Sequence, residues 1–67
     1  MNKFTLWFNA AGSWRKVLNF DHYQMEDIQK ASVTLLQITH NTKGRITGPD
    51  GAVLYYAAPY LWQWAPA

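Results

Sequence analysis

Residues 20–38 have the sequence FDHYQMEDIQKASVTLLQI, and this stretch predicts the helix around which the rest of the fold is arranged. Asp21 suits the N-cap position, and Gln24 three residues later completes a capping box. Phe20 and Met25 occupy the two positions of a hydrophobic staple. The start of the helix is therefore the best specified local feature of the chain.

Apolar and small side chains recur at helical spacing through the same stretch. The stripe predicted to face the core consists of Met25, Ile28, Ser32, Leu35 and Thr39, with Ala31 and Leu36 on its flanks. Glu26 and Lys30 are spaced as an i,i+4 ion pair in the favourable order. We expect the helix to end between Ile38 and His40, with Asn41 as a left-handed C-cap.

Two strands are predicted before the helix. Lys3 to Asn9 alternates between apolar and other side chains, with Phe4, Leu6 and Phe8 on one side, which is the period of a half-buried strand. Gly12 marks a turn, and residues 14–20 form a second strand by residue type. Its alternation is weaker, because Lys16 falls on the same side as Trp14, Leu18 and Phe20. The two segments are close enough to form a hairpin.

A second hairpin is predicted after the helix. Residues 48–51, Gly-Pro-Asp-Gly, suit a type I turn followed by Gly51 at positive φ as a bulge. A loop of this length places Ile46 opposite Leu54. Leu54 and Tyr56 then share the core side with Ile46, whereas Val53 and Tyr55 join Arg45 and Thr47 on the other side. A loop of two or four residues would exchange these two sets.

The elements predict one small α+β domain over residues 1–67. Its architecture is a two-layer ββαββ fold, in which an antiparallel sheet has one helix packed on one face and an aromatic C-terminal tail follows. Tyr60, Trp62 and Trp64 alternate in the tail, so their rings would project from one face of a strand. That face either completes the hydrophobic core or forms an interface.

The chain offers little for catalysis. It has no cysteine, and His22 and His40 would lie roughly 27 Å apart at opposite ends of the helix, by its rise per residue. Each carboxylate has a structural role as a cap, an ion-pair partner, a charge near the positive end of the helix or a turn residue. We therefore expect no enzymatic activity, no cofactor, no metal and no small-molecule substrate.

Residues 1–8 contain no apolar run of signal length, and no run in the sequence approaches the ~20 apolar residues that span a membrane, so we expect neither a signal peptide nor a transmembrane segment. We therefore expect a cytoplasmic protein that makes no contact with a membrane.

Two binding functions fit the remaining features. The first is protein–protein contact and self-association as a homodimer, because aromatic side chains make up 16% of the 67 residues and dominate interface hot spots. The predicted contact residues are Trp7, Tyr55, Tyr60, Trp62 and Trp64. The alternative is single-stranded nucleic-acid binding through a basic, aromatic sheet face. The residues predicted for that alternative are Lys3, Trp7, Arg15, Lys16, Arg45 and Tyr55.

Overall fold

One helix packs against a five-stranded antiparallel sheet in a computed structural model, which describes residues 3–38, 42–58 and 63–67. The elements are β1 (Phe4–Ala10), β2 (Ser13–Phe20), a 3₁₀ turn (His22–Gln24), α1 (Met25–Ile38), β3 (Lys43–Thr47), β4 (Val53–Ala57) and β5 (Ala65–Pro66). The strand order in the sheet is β2-β1-β3-β4-β5. The predicted α+β architecture is confirmed, but the observed element order ends in the two-residue β5 and differs from the predicted ββαββ order.

The start of the helix follows the predicted capping pattern. Asp21 is the N-cap, and its N–H donates to Gln24 Oε1 at 3.0 Å, while the Gln24 N–H donates to the Asp21 carbonyl at 2.9 Å. Lys3 Nζ lies 2.7 Å from Asp21 Oδ1, and this hydrogen bond holds the pKa of Asp21 below its ordinary value. The predicted end of the helix at residues 39–41 lies outside the described residues.

The buried stripe of α1 differs from the predicted one. Ser32 and Leu36 are the buried residues of the helix, whereas Leu35 is 48% exposed, so the prediction that Leu35 faces the core is wrong. The helix is rotated about its axis relative to the prediction, because Gly44 has no side chain and leaves room for Leu36. A Cβ on Gly44 would lie 3.1 Å from Leu36 Cδ1. Periodicity alone did not distinguish these neighbouring stripes.

The core lies between α1 and one face of the sheet. It consists of Leu6, Phe20, Leu36, Ile46, Ala57 and Trp64. Trp64 enters it from the C-terminal segment, and its ring occupies the space that the absent side chain of Gly44 leaves open. Its Nε1–H donates at 3.0 Å to the Gln29 carbonyl and to Ser32 Oγ, so the one polar atom of the indole is satisfied. The ring of Trp64 is therefore part of the core.

The first hairpin contains a β-bulge that explains the weak alternation of β2. Leu6 pairs with Leu18, but Trp7 pairs with Lys16, so Val17 is an extra residue in β2. The extra residue inverts the side-chain phase. Trp14 and Lys16 consequently share the face of Trp7, while Arg15 lies on the helix side. The prediction that Arg15 shares the basic, aromatic sheet face with Trp7 is wrong.

The second hairpin has the predicted turn but a different register. Gly51 has φ +87°, and its N–H donates to the Gly48 carbonyl at 3.0 Å. A bulge at Leu54, within β4, then places Tyr55, not Leu54, opposite Ile46. Tyr55 packs against the core and Tyr56 points away from it. The predicted faces of Tyr55 and Tyr56 are wrong, because one extra residue moves every later side chain to the opposite face.

Candidate functional site

The face of the sheet opposite α1, called the open face below, is the candidate functional site. Gly44 and Ile46 point toward the helix, so Lys43, Arg45 and Thr47 point away from it. Pairing across the strands extends this face in both directions. Its side chains are Thr5, Trp7, Asn9, Trp14, Lys16, Asn19, Lys43, Arg45, Thr47, Val53 and Tyr56.

Four side chains of the open face form one row at right angles to the strands, called the central row below. Trp7 on β1 pairs with Lys16 on β2 and with Arg45 on β3, and Arg45 pairs with Tyr56 on β4. Cations and aromatic rings thus alternate from β2 to β4. Neighbouring strands are ~4.8 Å apart, so the row spans about 14 Å.

Arg45 is held between two indole rings. Its Cζ lies 4.2 Å from the centroid of the Trp14 ring and 5.6 Å from that of Trp7. Both distances fall within the range of favourable cation–π contact. Its Nε is buried without a hydrogen-bond partner, and in the described part of the chain Arg45 makes no ion pair. The guanidinium is therefore held in place by its neighbours without being neutralised by a carboxylate.

Hydrogen bonds beside the central row orient its side chains. Trp7 Nε1–H donates to Thr47 Oγ1 at 2.9 Å, which fixes the indole plane against β3. In the row next to the central row, which contains Thr47, Thr5 Oγ1 donates to Asn19 Oδ1 at 2.9 Å. Both bonds join neighbouring strands, and the one to Thr47 orients the Trp7 ring before any ligand is present.

The charged side chains of the open face are all positive. The five strands contain no Asp or Glu. Lys16, Lys43 and Arg45 give the open face three cations. The chain's carboxylates lie elsewhere, at Asp21, Glu26, Asp27 and Asp50. Asp21 and Glu26 are already paired, with Lys3 and Lys30 respectively. The open face therefore presents positive charge without a strand carboxylate to repel an anion.

The residues predicted for partner contact lie in different parts of the structure. Trp7 lies on the open face, whereas Tyr55 packs against the core. Trp64 is only 8% exposed, so its ring is a core element. Tyr60 and Trp62 lie outside the described residues.

The residues predicted for nucleic-acid contact are also divided. Lys16 and Arg45 join Trp7 in the central row, whereas Lys3 is paired with Asp21 and Arg15 lies on the helix side. Sequence reasoning missed Trp14 and Tyr56 as members of the site. For Trp14, the signal was the cation at Lys16 on an otherwise apolar stripe, which marks a change of phase within β2.

A concavity lies away from the open face, between α1 and the C-terminal segment. This shallow groove has a volume of about 350 Å³ and is lined by Glu26, Gln29, Lys30, Val33, Gln63 and Trp64. Its charged rim is the exposed Glu26–Lys30 pair, with an N–O distance of 3.2 Å. Across residues 3–38, 42–58 and 63–67, no group of three His, Cys, Asp or Glu side chains can hold a metal ion.

Comparison of the chain with protein-family models, with curated proteins and with solved structures found no match. Among the described residues, no helix has the length and apolarity needed to cross a membrane. The chemistry of the open face is therefore the basis for assigning a function.

Proposed function

We propose that this protein is a non-catalytic binding module whose open face binds single-stranded nucleic acid. The observation that carries the proposal is the central row, in which Lys16, Trp7, Arg45 and Tyr56 alternate cation and ring across four strands. Unpaired bases stack on aromatic side chains, and phosphates pair with Lys and Arg. A sheet surface on which aromatic rings and cations alternate therefore offers both contacts to successive nucleotides of a single-stranded nucleic acid.

Arg45 is suited to phosphate recognition because its position is already set. The indoles of Trp7 and Trp14 hold the guanidinium, so less conformational entropy is lost when it pairs with a ligand. Arginine can form bidentate, charge-assisted hydrogen bonds to a phosphate. No described carboxylate competes with the ligand for Arg45.

A single strand fits this surface better than a duplex does. The bases of a duplex are stacked on each other, so Trp7 and Tyr56 can contact them only after they separate. A duplex would retain the phosphate contacts alone. We therefore expect single strands to bind more tightly than a duplex of the same sequence, in which the rings contribute nothing.

The charge-reversal pair Lys16→Glu and Arg15→Glu tests the proposal. The two residues are neighbours on β2 and both are exposed, but they lie on opposite faces. Both variants change the net charge equally, so a non-specific charge effect moves them together. With a fluorescein-labelled oligothymidylate at low salt, we expect Lys16→Glu to weaken binding about ten-fold and Arg15→Glu to change it about two-fold at most. Equal losses, or no binding by the parent protein, would contradict the proposal.

The salt dependence of binding gives an independent check. Release of counterions from a single strand gives a slope of log K against log salt of about −0.7 per phosphate contact. Two to three contacts, made by Lys16, Arg45 and Lys43, predict a slope between about −1.4 and −2.1. Lys16→Glu should reduce this slope by about 0.7, whereas Arg15→Glu should leave it unchanged.

Protein–protein contact and homodimerisation form the second proposal, and the edge strand β2 favours it. β2 is the first strand of the sheet order, and Val17 and Leu18 are 44% and 38% exposed on it. However, Lys16 and the adjacent bulge are features that prevent sheet edges from pairing. This proposal therefore ranks below the first. Sedimentation across a concentration series tests it: a dimer that Val17→Glu dissociates would support it, and a monomer throughout would contradict it.

A further inference from the structure

We infer that the bound strand crosses the sheet at right angles to the β-strands, along the central row, with a footprint of about four nucleotides. This inference rests on the proposed function and adds the direction and length of the ligand's path. It also gives Tyr56 the role of the last stacking platform, a residue that sequence reasoning had placed on the core side.

The direction follows from where rings and cations alternate. Along β1 the open face shows Thr5, Trp7 and Asn9, which include one ring and no cation. Along β3 it shows Lys43, Arg45 and Thr47, which include two cations and no ring. A path parallel to these strands would therefore meet either stacking or phosphate contacts, but not both. Along β2 it shows Trp14, Lys16 and Asn19, a single ring and a single cation on a strand at the edge of the sheet. Two rings and two cations alternate only across the strands, in the central row.

The length follows from where the row ends. Lys16 lies on the edge strand β2, and no strand among the described residues continues the row beyond it. At the other end Tyr56 pairs with Ala65 of β5, which carries neither a ring nor a charge. The row spans about 14 Å, and a stacked strand advances ~3.4 Å per nucleotide, so about four nucleotides fit.

Trp14 acts through Arg45 as a positioning residue. It lies in the next row, opposite Asn9, and its ring centroid is 4.2 Å from Arg45 Cζ. The ring therefore directs the guanidinium toward the path. Trp14→Phe keeps an aromatic face and should keep the salt slope, whereas Trp14→Leu should reduce the slope by about 0.7 because one phosphate contact is lost. A slope that both variants leave unchanged would overturn the positioning role.

The length of the path is tested with oligothymidylates of two to ten nucleotides at low salt. We expect affinity to rise steeply up to about four nucleotides. Beyond that length it should increase only in proportion to the number of positions at which the strand can bind. A steep rise continuing to ten nucleotides would overturn the path while leaving the proposed function intact. Failure to bind at any length would instead refute the proposed function itself.

Tyr56→Leu shows whether the path ends at β4. This variant retains apolar bulk but removes the ring, so the steep rise should end at about three nucleotides instead of four. Val53→Ala is the matched control, because Val53 lies on the open face of the same strand but outside the central row. If the length at which the rise ends is unchanged in Tyr56→Leu, Tyr56 is not part of the path. Circular dichroism of both variants separates this result from loss of folding.

Discussion

The two faces of the sheet come from alternate residues of the same strands, yet they differ in burial, polarity and charge. The helix side brings Leu6 and Ile46 together in a buried core that also contains Trp64. The open side brings cations and rings together around Arg45, with no apolar layer of the helix above them. The helix side therefore stabilises the fold, whereas the open side is available to bind a ligand. Substitutions on the two faces should separate stability from binding.

Trp64→Ala is expected to have the largest effect on stability, because it removes a buried indole from the helix side. The expected loss is about 3–5 kcal/mol in the free energy of unfolding, measured by urea denaturation. Trp64→Phe is the matched control: it keeps a ring but loses the N–H bonds to Gln29 and Ser32, for a loss of about 1–3 kcal/mol. A loss below about 1 kcal/mol in Trp64→Ala would show that the tail is not part of the core.

Gly44→Ala should have the next largest effect, because the new Cβ would lie 2.8 Å from Trp64 Cη2. Overpacking of this kind costs about 1–3 kcal/mol in the free energy of unfolding. In the Trp64→Phe background the shorter ring should relieve part of the clash, so the two losses should be less than additive in thermal or urea unfolding. Full additivity would contradict the direct contact between residue 44 and the indole.

Ala11→Asn should stabilise the protein without affecting the open face. Ala11 has φ +57° in the turn between β1 and β2, a conformation that alanine adopts at a cost and asparagine tolerates better. Asn-Gly is also the favoured pair for a two-residue hairpin turn. We expect a gain of about 0.5–1 kcal/mol in the free energy of unfolding, with oligonucleotide affinity unchanged. Destabilisation would show that the turn differs from the one described.

Lys3→Met should have the smallest effect, and that effect should depend on pH. The ion pair holds the pKa of Asp21 below 3.8 in the folded state, so its stabilising contribution is present above that pH. The contribution is lost as pH falls through the folded pKa and Asp21 becomes protonated. Parent and variant should therefore differ slightly at pH 7 and converge in acid. A difference in urea midpoint that stays constant from pH 7 to pH 2 would contradict the pairing.

Local signals predicted part of this fold well. The capping pattern of Asp21 and Gln24 and the turn at residues 48–51 depend on neighbours in the sequence, and the structure has both. The two bulges were not predictable in this way, because an extra residue is accommodated by pairing with a distant strand. Each bulge inverts the side-chain phase between the two parts of the strand that it joins.

The same bulges decided how much of the candidate site was predictable. Trp7 and Arg45 lie on strands whose alternation is regular where they occur, and sequence analysis placed them on the open face. Tyr56 was exchanged with Tyr55 because of the bulge in β4. Sequence analysis placed Trp14 correctly on the same side as Lys16. It also placed Leu18 and Phe20 on that side, which is wrong because the side-chain alternation is inverted at Val17. Alternation is thus a reliable guide only between bulges.

The most direct test of the open-face account is the indole N–H region of a ¹H–¹⁵N correlation spectrum, recorded while a tetrathymidylate is added. Trp7 and Trp14 lie on the open face, whereas Trp64 donates its N–H to the helix on the opposite side and serves as an internal control. We predict that the indole signals of Trp7 and Trp14 shift together and saturate while that of Trp64 stays in place. A shift confined to Trp64, or no shift in any of the three, would contradict the account.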